Sequence, residues 1–386
     1  MPWYARVLTA IQTAAVPLTL TQATNLALLT SAILAKRTLC LSELARAYPS
    51  PETRRVQRPK HDLLHRLKRV WRFVSNARVD PVVVQTAFIP HTLARLGRVR
   101  WVGLAMDWTM FDTTLPTGQR MRYQVLRLAI PRRGRALPLL QVAYDRQGWK
   151  HEVISQNQAE EAALAGVRHE FPTAVRPVVL ADRGFARASF LPWLQKRGVD
   201  YVVRIDKGTS MTEADGRRGK LGSEALEPGQ LQWAPGVRYG LYHDRPRDLI
   251  INVALCWRLP KAQQRNPRRH PPKDPWYLAT SLASASCAVA WYGQRGWIEQ
   301  SFKDSKSRFG LAAVQVGTPE RLNRLLMALT LALAWLTLAA LPEVRAVPAH
   351  WAAHVAQFRR ISLIGLALAW LDERQELPLA CLPACS

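Results

Sequence analysis

The chain has 386 residues, which is enough for two or three domains that each bury a core. Hydrophobic residues make up 48% of it, and this excludes an intrinsically disordered protein. Lysine and arginine number 54 against 28 aspartate and glutamate residues, for a formal net charge of +26. Such an excess indicates a polyanionic partner, with nucleic acid favoured over an anionic membrane surface.

The cysteine content indicates reduced thiols. The number of cysteines is odd, no CxxC pair occurs, and the two nearest the carboxyl terminus have no partners at the spacing of a zinc site. This usage is typical of a cytosolic protein without a disulfide framework. The cysteines are Cys40, Cys256, Cys287, Cys381 and Cys385.

Residues 1–95 are predicted to be mostly helical. An apolar run from Ala14 to Leu34 is interrupted by polar residues such as Gln22 and Asn25, which favours a buried helix over a signal peptide. The segment Ser42–Ala47 looks like the start of a helix-turn-helix element.

A basic block extends from Arg54 to Phe73 and contains eight arginines and lysines. Its apolar residues recur at helical spacing, so the pattern predicts a basic amphipathic helix. We interpret this helix as a DNA-binding element whose cations follow the phosphates, and a packed helix with a solvated basic face is the alternative. The apolar residues are Leu63, Leu64, Leu67 and Val70.

From Trp101 the pattern changes to strands. Three consecutive strands are followed by a helix, a strand, a helix and a strand, which is the order of the ribonuclease H-like fold. We therefore predict an α/β core of that type. The predicted segments are Trp101–Asp112, Met121–Ile130, Ala136–Tyr144, Asn157–Glu170, Val175–Leu180, Ala188–Arg197 and Tyr201–Ile205.

Two of these strands each supply one carboxylate. Asp107 lies on the first strand, which is central in such a sheet, and Asp182 follows the fourth strand, where sites in α/β sheets assemble. A lone buried aspartate is costly, so packing alone explains neither residue well. A helix cap or a turn is the alternative for both, and Asp112 competes with Asp107 for the role on the first strand.

The distance along the chain from Asp182 to Glu299 is too long for a minimal core of this kind, so we expect an insertion at residues 207–283. Two segments within it resemble strands, and a loop rich in proline and arginine follows at residues 258–275. The strand-like segments are Val237–Tyr242 and Leu249–Trp257, and Trp276–Thr280 closes the insertion.

Four polar residues beyond the insertion recur at i, i+3, i+7 and i+14, which predicts that they share one helix face. They are Tyr292, Arg295, Glu299 and Lys306. The carboxylate can hold a divalent cation, while the phenol, guanidinium and ammonium can donate to phosphate oxygens. A solvated face with an i, i+4 ion pair is the alternative. Ile298 and Phe302 lie on a neighbouring stripe, where they can anchor the helix to a core.

The spacing Tyr-x2-Arg-x3-Glu-x6-Lys, together with the two aspartate motifs, resembles the signature of bacterial insertion-sequence DDE transposases, specifically the insertion sequence 4 family. The resemblance covers roughly residues 100–315. It implies that Asp107, Asp182 and Glu299 are the catalytic residues and that they bind Mg²⁺, with Mn²⁺ as a substitute. Two such ions would activate the attacking oxygen and stabilise the leaving oxygen.

The resemblance also implies DNA contacts. Tyr292, Arg295, Lys306 and Arg183 would hold DNA phosphates, and Trp276 would stack on a flipped base, with a core strand tryptophan as its alternative. The insertion would be all-β. The partners would be double-stranded DNA, as transposon ends and as target, and a second copy of the chain when it is assembled on DNA.

The predicted function is therefore a transposase that cleaves transposon ends and joins their 3′ ends to target DNA in the bacterial cytoplasm, at the nucleoid. The alternatives are an inactive DNA-binding remnant and a metal-dependent nuclease on the same fold.

No membrane is expected, because the uncharged run Leu325–Leu341 is short for a span and suits a buried core helix. A last helix is predicted at Ser362–Asp372. We expect a helical DNA-binding domain at 1–95, a ribonuclease H-like catalytic domain at 96–206 and 284–345, a β-rich insertion at 207–283 and a helical tail at 346–386.

Overall fold

A computed structural model describes residues 4–49, 59–146, 155–223, 226–242, 245–246, 248–258, 274–341 and 363–374. It is a mixed α/β protein with two compact units. The first unit comprises Met1–Val99, Trp108–Thr173 and Trp297–Ser386, and the second comprises Arg100–Asp107 and Ala174–Gly296. The four-part division by sequence stays a prediction.

Six helices form the amino-terminal part of the first unit, as far as it is described. The second of them is buried along most of its length and starts with a capping box, in which Thr19 and Gln22 satisfy each other's backbone N–H groups. The predicted buried helix is thus confirmed. The helices are α1 (Tyr4–Thr13), α2 (Leu20–Lys36), α3 (Leu41–Ala47), α4 (Pro59–Val74), α5 (Pro81–Ala87) and α6 (Ile89–Arg95).

Helix α4 confirms the predicted basic helix from residue 59 onwards. Val70 is buried, whereas Leu64 and Trp71 are exposed, so the apolar stripe is only partly covered. Helices α3 and α4 pack together, as a helix-turn-helix element requires. The basic residues 54–58 and the connection between the two helices lie outside the described residues.

The predicted strands of the first unit are present. The second and third of them form an antiparallel hairpin whose two-residue turn, Arg133 and Gly134, has φ values of 43° and 83°. Positive φ at both positions is typical of tight hairpin turns. The elements are β1 (Trp101–Thr114, in this unit from Trp108), β2 (Arg120–Arg132), β3 (Arg135–Asp145) and α7 (Gln156–His169).

The long apolar helix is a core helix. Pro319–Ala340 is long and apolar enough to cross a membrane, but 94% of its most apolar window is buried inside the protein. It packs on β3 and against the helix Leu363–Arg374. The prediction of a buried helix in place of a membrane span is confirmed, as is the last predicted helix.

In the second unit, the first half of β1 pairs in parallel with β4, and β4 pairs in parallel with β5. The strands of the insertion continue this sheet antiparallel from β5, in the order β5-β12-β11-β8-β6-β7. The predicted strand-like segments are confirmed, while residues 259–273 of the basic loop lie outside the described residues. The elements are β4 (Arg176–Ala181), α8 (Phe190–Lys196), β5 (Asp200–Arg204), β6 (Ser210–Thr212), β7 (Arg218–Lys220), β8 (Leu231–Tyr239), β9 (Leu241–Tyr242), β10 (Arg245–Pro246), β11 (Ile250–Cys256) and β12 (Trp276–Thr280).

The prediction of one continuous helix face after the insertion is wrong. Helix α9 (Ala285–Tyr292) ends at Tyr292, and α10 (Trp297–Lys303) is followed by a π-helical turn (Asp304–Arg308). Two glycines lie in the gap, and each costs about 1 kcal/mol relative to alanine inside a helix. Gly293 also has Nη1 of Arg258 only 2.8 Å from the place a Cβ would take. The two long apolar helices that follow are named α11 (Pro319–Ala340) and α12 (Leu363–Arg374).

Candidate active site

The two predicted aspartates of the second unit follow the last paired residues of two adjacent parallel strands. Met106 of β1 is opposite Ala181, the last residue of β4, so Asp107 and Asp182 follow at the same edge of the sheet. Asp182 also caps a short 3-10 turn, because its Oδ1 accepts the N–H of Arg183 at 2.6 Å. The alternative of a capping role for Asp182 therefore applies to Oδ1 alone, while Oδ2 contacts Arg295.

Arg295 joins the two carboxylates. Its Nη2 lies 2.9 Å from Oδ2 of Asp107 and 3.4 Å from Oδ2 of Asp182. The side chains of Arg295 and Asp107 are 12% and 16% exposed, and that of Asp182 is 38% exposed. Two carboxylates this close would repel each other, so the guanidinium acts as their shared counter-charge.

Asp112 does not belong to this pair. It is an exposed residue of the first unit whose two oxygens accept hydrogen bonds from Nε and Nη2 of Arg122 at 2.7 and 2.9 Å. These hydrogen bonds lower the pKa of the Asp112 carboxyl. Of the two competing carboxylates on β1, Asp107 is the one that shares a cation with Asp182.

The carboxylate oxygens that contact Arg295 suit a divalent cation. Oδ2 of Asp107 and Oδ2 of Asp182 both lie within 3.4 Å of one cationic nitrogen, and carboxylate oxygens are the ligands that Mg²⁺ and Mn²⁺ prefer. Within the part of the chain that the structure describes, no group of three or more His, Cys, Asp or Glu side chains is placed to hold a metal ion. Asp107 and Asp182, two of the three predicted ligands, both belong to the second unit.

Tyr292 and Trp276 form an aromatic pair beside the two aspartates. The Tyr292 ring is buried and meets Trp276 edge-on, at 5.0 Å between centroids, and the Arg258 guanidinium lies 5.5 Å from the Trp276 ring centroid. Burial raises the pKa of Tyr292 to about 12, and Asp182 contributes in the same direction. The phenol is therefore a hydrogen-bond donor at neutral pH.

Arg183 follows Asp182 on the surface of the second unit. Its Nη1 lies 3.9 Å from Oδ2 of Asp206, and both side chains are largely exposed. An exposed ion pair of this length contributes little to stability. The guanidinium can therefore exchange this partner for a phosphate at small cost.

Glu299 and Lys306 belong to the first unit. Glu299 is an exposed residue in the first turn of α10, and Ile298 and Phe302 anchor that helix in the core, as predicted. Lys306 lies in the π-helical turn, where its Nζ donates to the carbonyl oxygen of Met110 at 2.8 Å. Burial lowers the pKa of Lys306, and the nearby Arg127 adds to the effect. Short π-helical segments are frequent at functional sites.

Sequence reasoning missed one polar contact next to Asp107. The indole N–H of Trp108 donates to Oε1 of Glu160 at 2.7 Å, and Glu160 is buried on α7. Glu160 falls on the same face of α7 as Leu164 and Val167, and a carboxylate on an apolar face was the signal available in the sequence.

Comparison with known proteins gives one family. The family model described as "Transposase DDE domain" matches residues 102–335, which is more than half of the chain. No curated protein matches the chain.

Proposed function

The chain belongs to the transposase DDE domain family, and from that membership we propose that it is an active DNA transposase of the insertion sequence 4 type. In this proposal water attacks the phosphorus at the transposon end and releases a 3′-hydroxyl. That hydroxyl then attacks a phosphodiester of the target DNA and displaces the target's 3′-oxygen. No covalent protein–DNA intermediate is needed.

The observation that carries the proposal is the pairing of Asp107 and Asp182. They follow the last paired residues of two adjacent parallel strands and share a single cationic nitrogen. Two carboxylates that need a shared cation are the core of a site for divalent metal ions, which when bound activate the attacking oxygen and stabilise the leaving oxygen. Glu299 would be the third ligand, on the strength of its place in the sequence signature.

The strand order supports a ribonuclease H-like core. The first unit contributes the order β3-β2-β1, and the second contributes β1-β4-β5 with parallel pairs. A ribonuclease H-like sheet has this arrangement, with the first catalytic aspartate on its first strand and the second after its fourth.

Other residues of the chain would bind and orient the DNA. Tyr292, protonated at neutral pH, would donate a hydrogen bond to a phosphate oxygen, and Arg295, Lys306 and Arg183 would pair with phosphates. Trp276 would stack on a base displaced from the duplex, for which a tryptophan is well suited. The excess positive charge would attract both DNA partners, and two copies of the chain would assemble on them.

The test uses a labelled duplex that carries the ends of the protein's own element, incubated with Mg²⁺ or with EDTA. We expect Mg²⁺-dependent nicking at the element boundary and, with a second duplex present, joining of the new 3′ end to it. Asp182→Asn and Glu299→Gln should lose both activities, whereas Asp112→Asn, which alters the surface carboxylate, should keep them.

Each other outcome selects a different function. Cleavage without joining indicates a metal-dependent nuclease on the same fold. Binding without cleavage indicates an inactive remnant. Cleavage that survives in Asp182→Asn would contradict the assignment of the site, and a protein that binds no DNA would contradict the whole proposal.

A further inference from the structure

Arg127 is an unexpected residue at the centre of the first unit. It lies in the middle of β2 and is fully buried. Its guanidinium donates hydrogen bonds to Gln141, Ser301 and Ser305, and it lies 4.3 Å from the centroid of the Phe302 ring. Burying a charge is expensive even when it is well bonded, and an apolar residue of similar size would fill the space at lower cost. The position therefore calls for a reason other than stability.

Two of the hydrogen bonds reach the segment that carries Glu299 and Lys306. Nη1 donates to Oγ of Ser301 at 2.6 Å, and Nη2 donates to Oγ of Ser305 at 2.7 Å. Ser301 comes two residues after Glu299, and Ser305 comes immediately before Lys306. Arg127 thus connects α10 to the π-helical turn from the side of the core.

The guanidinium is itself fixed from its other side. Nε and Nη2 donate to Oε1 of Gln141 on β3, at 3.1 and 2.5 Å. The side-chain Nε2 of Gln141 donates to Oγ1 of Thr330 on α11 at 2.8 Å, and the Thr330 hydroxyl in turn donates to Oε1 of Gln85 on α5 at 2.6 Å. A buried network in which the members hold one another defines one geometry.

The π-helical turn has a second anchor. Asp304 is buried, its Oδ2 is 2.8 Å from Nε of Arg135 at the start of β3, and its Oδ1 accepts a hydrogen bond from Nε of Arg308 at 3.0 Å. Helix α10 has only seven residues, too few to be stable by itself. Its rotation is therefore set by these contacts, and slipping by one residue would turn Glu299 by about 100° around the axis.

We propose that Arg127 is a positioning residue of the transposase reaction, which through Ser301 and Ser305 fixes the rotation of α10 and hence the direction of the Glu299 carboxylate. The inference rests on the proposed function, because it concerns a ligand of the proposed metal site. Residues that hold metal ligands in place typically change metal affinity or activity by about 10–100-fold when they are replaced.

The test compares two buried arginines of the same unit. Arg127→Met removes the hydrogen bonds to the two serines. Arg324→Met is the matched control, because Arg324 is also buried but its hydrogen bonds go to the backbone carbonyls of Val79, Val74 and Glu320. Mn²⁺ binding is followed by electron paramagnetic resonance, without DNA, and cleavage is followed in a single turnover with saturating DNA.

We expect Arg127→Met to weaken Mn²⁺ binding and slow cleavage by about 10–100-fold. Arg324→Met should change neither quantity. Because Arg127 acts through Glu299, combining Arg127→Met with Glu299→Gln should weaken Mn²⁺ binding no further than Glu299→Gln alone. If Arg127→Met does not fold, the double variant Ser301→Ala, Ser305→Ala is measured instead.

The outcomes separate the two proposals. If Glu299→Gln weakens Mn²⁺ binding and Arg127→Met does not, the positioning role is wrong and the site stands. If Glu299→Gln leaves Mn²⁺ binding unchanged, the metal site itself is wrong, and the role of Arg127 falls with it. Equal losses in Arg127→Met and Arg324→Met would mean that Arg127 is only structural.

Discussion

Replacing Arg295 by glutamine should make the metal-free protein less stable and its metal binding tighter. The guanidinium is the counter-charge that Asp107 and Asp182 share. A divalent cation would neutralise the same two carboxylates, so the arginine and the metal compete. Removing the arginine therefore leaves the two carboxylates with unbalanced charge until a metal ion binds.

The size of the effect follows from burial. Breaking a fully buried ion pair costs about 3–5 kcal/mol. Here Asp107 is 16% exposed and Asp182 is 38% exposed, so solvent screens the second carboxylate and lowers the figure. We expect the metal-free variant to lose about 1–3 kcal/mol of unfolding free energy. A recovery of about 1.4 kcal/mol on metal binding corresponds to a tenfold lower dissociation constant for Mg²⁺.

The assay is thermal unfolding in EDTA and over a Mg²⁺ series, with calorimetric titration of Mg²⁺ into the folded protein. A ligand that binds only the folded state stabilises it by RT ln(1 + [L]/Kd), so the Mg²⁺-dependent rise in Tm should be larger for Arg295→Gln than for the wild type. Arg122→Gln is the control, because it breaks the exposed pair with Asp112 and should leave both quantities unchanged. Equal metal-free stability and equal Mg²⁺ response in Arg295→Gln and the wild type would refute the counter-charge role.

Three further predictions concern the same two units. Burial raises the pKa of Tyr292 to about 12, above its value near 10 in the unfolded chain, so the stability that the protonated phenol contributes is complete below pH 10 and is lost as the pH rises from 10 to 12. An alkaline titration followed at 295 nm should show one late-titrating tyrosine fewer in Tyr292→Phe than in the wild type. If the tyrosine missing from the titration of Tyr292→Phe is instead one that ionises near pH 10, the burial of Tyr292 is contradicted. Asp304→Asn should lower the free energy of unfolding in urea by about 3 kcal/mol, because it removes the buried negative charge that pairs with Arg135 and Arg308. An unchanged urea midpoint would show that these ion pairs contribute nothing to stability. Gly103→Ala should cost about 1–3 kcal/mol in the same unfolding experiment, because the new Cβ would lie 2.9 Å from the Trp291 ring. Gly166→Ala is the control and should not destabilise the protein, because a Cβ at Gly166 meets no atom within 4 Å and its φ is not positive.

The parts of the fold that local pattern determines could be predicted from the sequence. Continuous apolar runs and alternation indicated β1 to β5, and the position of sites at the carboxyl ends of strands in α/β sheets indicated Asp107 and Asp182. Both signals are carried by neighbouring residues, so they need no knowledge of distant contacts.

The parts that depend on distant partners could not be predicted. The helical period of the sequence continues past Gly293 and Gly296, but the helix is interrupted there, since glycine is a poor helix former and Arg258 approaches Gly293 closely. The pairing of Arg295 with Asp107 joins residues 188 apart, and the bond from Arg127 to Ser305 joins residues 178 apart. For Arg127 the available signal was a cation in the middle of an apolar strand, which identifies the residue but not its partners.

The roles assigned to Arg295 and Arg127 predict opposite changes in Mn²⁺ affinity, and this gives the most stringent test of the proposed site. Arg295→Gln removes a competitor of the metal and should tighten Mn²⁺ binding, whereas Arg127→Met releases the helix of a metal ligand and should weaken it. One acts on Asp107 and Asp182 and the other on Glu299, and the double variant of the two arginines completes a mutant cycle. Calorimetry on the four proteins of this cycle, with Arg324→Met as the control, measures the coupling. Two changes in the same direction would contradict the roles assigned to these arginines, since unspecific damage to a site can only weaken binding.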